Sequence, residues 1–160
     1  GSGLVGSEMC IRDRAGTAQF THASWSDFRV LRDLFAGKEA STAGRFIPWA
    51  VFTTPELGHV GLTEAEARQA GHEIRVAKTP TAAVPRAKTL GRTEGFYKVI
   101  VDATTDEILG AAVIGAEASE VITSVQMAML AGLRWQQLRD AVITHPTMSE
   151  GLNIVLDSLG

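Results

Sequence analysis

The chain has 160 residues, 45% of them apolar, a formal net charge of −3 and a single cysteine, Cys10. The apolar content suffices for one ordinary domain with a real core, while the charge gives no electrostatic footprint for nucleic acid. No apolar run is long enough to cross a bilayer, and one cysteine excludes both a disulfide framework and a paired redox motif within the sequence. A chain without nucleic-acid or membrane partners, in the cytoplasm, is expected.

Residues 1–14 show no period and no core face. Within them Val5-Gly6-Ser7-Glu8-Met9-Cys10-Ile11-Arg12-Asp13-Arg14 resembles the translated sequencing-adaptor runs found at broken ends of gene models. The segment is therefore expected to be non-native, with a flexible native terminus as the competing reading. From Phe20 the text changes. Thr21 is the candidate N-cap of a helix in which Trp25, Phe28, Leu31, Leu34 and Phe35 recur at helical spacing, stopping near Gly37. Residues 40–45 are small and polar, as a linker would be.

Phe46 to Thr53 reads as a strand, with Pro48 at its start or on an edge, and a second short strand follows around His59 to Leu62. Thr63-Glu64-Ala65-Glu66 is a capping box opening a helix that ends at Gly71. His59 and His72 are taken as surface or turn residues. His72 to Thr79 alternates as a third strand, and an irregular stretch through Pro80 and Pro85 carries Arg86, Lys88 and Arg92 on a solvated loop or dimer rim. Gly95 to Asp102 and Glu107 to Gly115 form the clearest hairpin, with Tyr97, Val99 and Val101 on one face and Thr104-Thr105-Asp106 as the turn. Gly110 inside the second strand points to the close approach of another backbone.

The last third is helical. Val121, Ile122, Val125, Met129 and Leu133 give one helix ended by Gly132; Trp135 to Val142 gives a second; Leu152, Val155, Leu156 and Leu159 stripe a third. The methionines suit core or interface filling better than ligation. Clustered strands with short links predict an α+β fold, an antiparallel sheet of about five strands backed by helices.

Chemistry concentrates in Thr144-His145-Pro146-Thr147-Met148-Ser149-Glu150. His145 can exchange a proton near neutral pH, and Pro146 drives it towards an extended conformation so that the ring projects from a bend. Glu150 could fold back onto one imidazole nitrogen and leave the other free as a base, a role typically contributing about 10²–10⁴ in rate. Thr147-x-x-Glu150 is equally a capping box in which Glu150 serves the backbone, and a histidine before proline also serves as a plain turn residue. No metal site is expected, because one His and one Glu are an incomplete set with no Cys or second His nearby.

His145-Pro146-Thr147-Met148-Ser149-Glu150 resembles the C-terminal signature of the FAD-dependent pyridine nucleotide-disulfide oxidoreductases, the family of dihydrolipoamide dehydrogenase, glutathione reductase and mercuric reductase. The stretch from Val51 to Glu64 resembles the opening of that family's dimerisation domain, and Ile108 to Gly115 its central strand, in the same order and spacing. The resemblance divides the chain into residues 15–45, a helical remnant of the FAD-binding domain with its linker, and residues 46–160, the dimerisation domain. It implies a homodimer in which the His-Pro turn of one subunit reaches the flavin and cysteine pair of the other. His145 and Glu150 are then the catalytic pair, and Thr21, His145 and Pro146 adjoin the flavin, Thr21 at the start of a helix whose dipole favours the reduced ring. A cis His145-Pro146 peptide is implied as well.

This chain departs from its relatives where true mercuric reductases carry Tyr in place of His145 and end in a vicinal cysteine pair. Thr42 to Arg45 and Glu150 to Asn153 nevertheless resemble mercuric-reductase-like proteins more than dihydrolipoamide dehydrogenase. The implied activity is an NAD(P)H-dependent disulfide or metal-ion reductase with its acceptor open. No Gly-x-Gly-x-x-Gly follows a strand, so the FAD and NAD(P)H domains of the parent are not in this sequence. The first expectation is a truncated product, inactive alone and without bound flavin; the alternative is a free-standing dimerisation or interaction module.

Overall fold

The computed structural model describes residues 18–160. The 1–14 segment and Cys10 lie outside the described residues. Backbone contacts divide the chain into two units, Gly1–Ile47 and Pro48–Gly160.

In the first unit, helix α1 spans Thr21–Phe35 and ends where Gly37 takes φ 74°. Its N-cap is Phe20, with no side-chain cap bond, so Thr21 is the first helical residue and not the cap. A cap must sit in extended geometry, and Phe20 does, at φ −119° and ψ 145°. The apolar stripe forms as its spacing demands but stays uncovered among the described residues: Trp25 is 60% and Phe35 88% exposed, and only Ala23 of the helix is buried.

The second unit holds strands β1 (Trp49–Val51), β2 (Glu56–Gly61), β3 (Ile74–Pro80), β4 (Phe96–Asp102) and β5 (Ile108–Gly115). They form one antiparallel sheet in the order β1-β2-β5-β4-β3. The helices are α2 (Glu64–Gln69), α3 (Pro85–Leu90), α4 (Ala118–Leu130), α5 (Trp135–Arg139) and α6 (Gly151–Asp157). This is the expected α+β class, with strands and helices in the expected order and one helix added.

That helix, α3, lies in the stretch read as irregular. Its six residues are too few for a periodic signal, yet Pro85 at its start and Gly91 in left-handed conformation at its end are ordinary helix signals. The first strand is shorter than the 46–53 expected, covering three residues after Pro48 on a sheet edge, where a missing N–H costs little. The α2 capping box forms in full: Thr63 Oγ1 accepts from the Glu66 N–H, and Glu66 accepts from the Thr63 N–H at 2.8 Å.

Alternation in the β4–β5 hairpin decides the core. Tyr97, Val99 and Val101 are all buried, α4 lies over β2 and β5, and α6 lies over β4 and β3. A second cluster joins Ala67 of α2 to Ile100 and Leu109, flanked by Leu62, Ile74 and Val76. Gly110 is where a second backbone comes in: a Cβ there would fall on the Leu62 carbonyl oxygen. His59 is buried on β2 and stacks on Trp49 at 5.0 Å, so it is no surface residue. No described helix is long and apolar enough to cross a membrane.

A proline-bent corner carrying His145 and Glu150

The corner begins where α5 stops at Arg139, three residues short of the expected Val142. Asn153, on α6, donates its side-chain amide to the carbonyls of Arg139 (2.6 Å), Ala141 (3.1 Å) and Leu138 (3.3 Å). The chain leaving α5 is thereby tied to α6 before it reaches His145. The His145-Pro146 peptide is cis, and Thr147 Oγ1 donates to the Thr144 carbonyl at 2.7 Å, closing the bend.

Glu150 serves both purposes that its spacing allowed. Oε1 lies 3.1 Å from His145 Nδ1, while Oε2 accepts the Thr147 N–H at 2.9 Å. The Glu150 N–H returns to Thr147 Oγ1 at 3.3 Å, so the reciprocal bonds of a capping box and the imidazole contact are one arrangement, set in the bend ahead of α6, whose N-cap is Glu150 and not Thr147. A carboxylate oxygen accepts, so its contact selects the tautomer with hydrogen on Nδ1 and leaves the lone pair on Nε2. The His145 side chain is 69% exposed and that of Glu150 13%. The ring is presented outward and its orienting acid is held inside.

Beneath the bend, Met148 is buried and its carbonyl accepts from the Tyr97 hydroxyl at 2.9 Å and the Gly151 N–H at 3.1 Å. Burial, then the Glu117 and Glu150 carboxylates, push the Tyr97 phenol up, so it stays a donor. Tyr97 and Asn153 were not singled out as site residues from sequence. The one hint was Gly151, a glycine opening a helix directly after the candidate acid.

The structure thus brings His145, Pro146 and Glu150 together. Thr21 lies in the first unit, exposed on α1, and shares no element with them. Among the described residues no three His, Cys, Asp or Glu side chains converge as a metal site. His72, expected as a surface or turn residue, lies in the link between α2 and β3 with its side chain 34% exposed, and pairs through Nδ1 with Asp102 Oδ2 at 2.7 Å.

Residues 47–155 match the family model for the pyridine nucleotide-disulphide oxidoreductase dimerisation domain. The chain is 44% identical over 143 residues to the probable pyridine nucleotide-disulfide oxidoreductase RclA of Escherichia coli, covering 88% of this chain and 32% of that protein. It is 37% identical over 147 residues to dihydrolipoyl dehydrogenase 2 of Haloarcula marismortui, covering 92% and 31%. Among solved structures it resembles the HOCl-induced flavoprotein disulfide reductase RclA from Escherichia coli, with TM-score 0.85 and 41% identity over 91% of this chain and 34% of that one. The chain spans about a third of the length of the curated relatives it matches.

Proposed function

Because the chain belongs to the pyridine nucleotide-disulphide oxidoreductase family, as a dimerisation domain, we propose that it lends a His145–Glu150 acid/base pair to the active site of a partner subunit. The parent protein in this reading is a homodimeric, cytoplasmic, NAD(P)H-dependent flavoprotein that reduces a disulfide or a metal ion. The observation that carries the proposal is the exposed His145 ring with Nδ1 engaged by Glu150, which leaves Nε2 for a proton partner.

His145 Nε2 takes the proton of a thiol as it becomes thiolate and returns it when a substrate sulfur leaves. Glu150 holds the ring's tautomer and stabilises the imidazolium between those events. Its own fixation by the Thr147 N–H keeps the carboxylate from following the ring. FAD, reduced by NAD(P)H, supplies the electrons when bound in the parent. In this reading Pro146 would shape the corner beside that group, and Thr21 opens a 15-residue helix whose dipole would favour the reduced ring. The helix belongs, in this reading, to the end of the FAD-binding domain.

Alone, the chain is proposed to be inactive and flavin-free, because the glycine fingerprints and the cysteine pair of the parent lie on other segments. The experiment grafts residues 46–160 onto the FAD and NAD(P)H domains of a relative and substitutes His145→Gln. A fall in turnover of about 10²–10⁴ is expected; unchanged turnover would leave His145 a turn residue and favour a free-standing dimerisation module.

A further inference from the structure

We propose that Tyr97 is a positioning residue for the His145–Glu150 pair, its buried hydroxyl pinning the Met148 carbonyl and with it the bend that aims Glu150 at the imidazole. Tyr97 sits in β4, bonded on both sides by β3 and β5, and none of its surface is exposed. A phenylalanine would fill that face of the sheet equally well. The added oxygen is satisfied by one acceptor, a carbonyl 51 residues away in sequence, and a buried hydroxyl without a partner is costly.

The acceptor's place makes the contact consequential. Met148 lies between Thr147 and Glu150, the two residues whose reciprocal bonds form the capping turn. Its carbonyl also receives the Gly151 N–H, so one oxygen ties the sheet to the residue just past Glu150. Gly151 is what lets the phenol in. A Cβ there would stand 2.6 Å from Tyr97 Cε1, 2.7 Å from Cζ and 3.0 Å from Val84 Cγ2. Those atoms belong to a buried ring and a buried valine with nowhere to retreat. Rigid strand, hydroxyl, carbonyl and capping turn therefore form a continuous support under the carboxylate.

The Tyr97–Met148 bond holds the bend whatever the chemistry, and its catalytic meaning rests on the acid/base reading of His145. The test uses this chain labelled with nitrogen-15, comparing it with Tyr97→Phe, which keeps the ring, and Gly151→Ala, which displaces it. Two quantities are read: native-state exchange of the Thr147 amide, which reports its bond to Glu150, and the Nδ1–H to Nε2–H tautomer ratio of the neutral His145 ring. In both variants Thr147 exchange is expected to rise about tenfold and the tautomer ratio to fall about threefold, the scale of one lost hydrogen bond. The amides of Lys98 and Val99 in β4 should change less than about twofold in Tyr97→Phe, a difference too small to reflect a lost hydrogen bond.

Exchange rising equally at Lys98 and Val99, no change at Thr147, or a change at Thr147 with the tautomer ratio intact would each overturn the proposal. These outcomes are separate from the fate of the catalytic reading. If His145→Gln leaves turnover untouched, the tautomer and exchange results still decide what Tyr97 holds in place.

Discussion

Glu150 divides its carboxylate between the His145 ring and the Thr147 N–H, and histidines elsewhere show what other partners do to the same side chain. His59, enclosed on β2, has its pKa lowered by burial, with Glu66 opposing and Lys98 assisting the shift. A group whose folded pKa lies below its unfolded value binds its proton first in the unfolded chain, so its contribution to stability fades as pH falls below about 6.5. Asp102 follows the same sign at lower pH. The Thr105 N–H, then His72 and the Thr104 N–H, hold its carboxyl down at about 2. Its contribution is complete above the ordinary carboxylate value near 4 and is lost on the way down to about 2. Urea midpoints against pH should therefore decline in two stages. His59→Gln should flatten the first and Asp102→Asn the second; a single stage that neither substitution changes would contradict this assignment.

At the scale of elements, turns and caps decide which strand meets which helix. Asp106, at φ 61° in the β4–β5 turn, accepts from Arg75 on β3 and from Trp135 and Gln136 on α5 at 2.8–2.9 Å. Arg75 and Arg139 flank the Trp135 ring at 5.2 and 5.1 Å, so the hairpin tip is clamped to the helix that precedes the His145 corner. Gly110 and Thr63 make the cleanest tests of element geometry. Gly110→Ala drives a methyl into the Leu62 carbonyl and should cost about 1–3 kcal/mol or more, as overpacking does. Thr63→Ala removes one half of a capping box and should cost about 1 kcal/mol. Urea unfolding checks both, and a Gly110→Ala cost well below about 1 kcal/mol would mean that the β5–Leu62 approach is looser than its geometry.

For the whole molecule, the open question is what covers the apolar surface the second unit leaves bare. Met127 and Leu130, on α4, are 51% and 53% exposed, and family membership as a dimerisation domain makes a second copy the occupant we expect. Obligate interfaces commonly bury about 2,000–5,000 Å². Sedimentation at micromolar concentration should give a dimer that Met127→Glu with Leu130→Glu converts to monomer, because two desolvated carboxylates would oppose the contact. A monomer of the unsubstituted chain under those conditions would refute the expectation. The proposed transfer of His145 to a neighbour requires this pairing, so the two stand or fall in order.

Local rules were enough for much of this architecture: alternation placed Tyr97, Val99 and Val101 inward, the Thr63 box started α2, Gly110 marked a close backbone, and the His145–Glu150 spacing permitted its contact. Each of these signals is local in the chain, even where, as at Gly110, the backbone that answers it is distant. What spacing left undecided was whether Glu150 would serve the imidazole or the backbone, because both partners lie within one turn; the folded bend gives one oxygen to each. His59 was misplaced and Tyr97 passed over for a related reason. Burial of the first and the single acceptor of the second are set by elements distant in sequence: His59 is enclosed in the sheet against Trp49 of β1, and the Met148 carbonyl reaches Tyr97 beside the packing of α6 on β4 and β3.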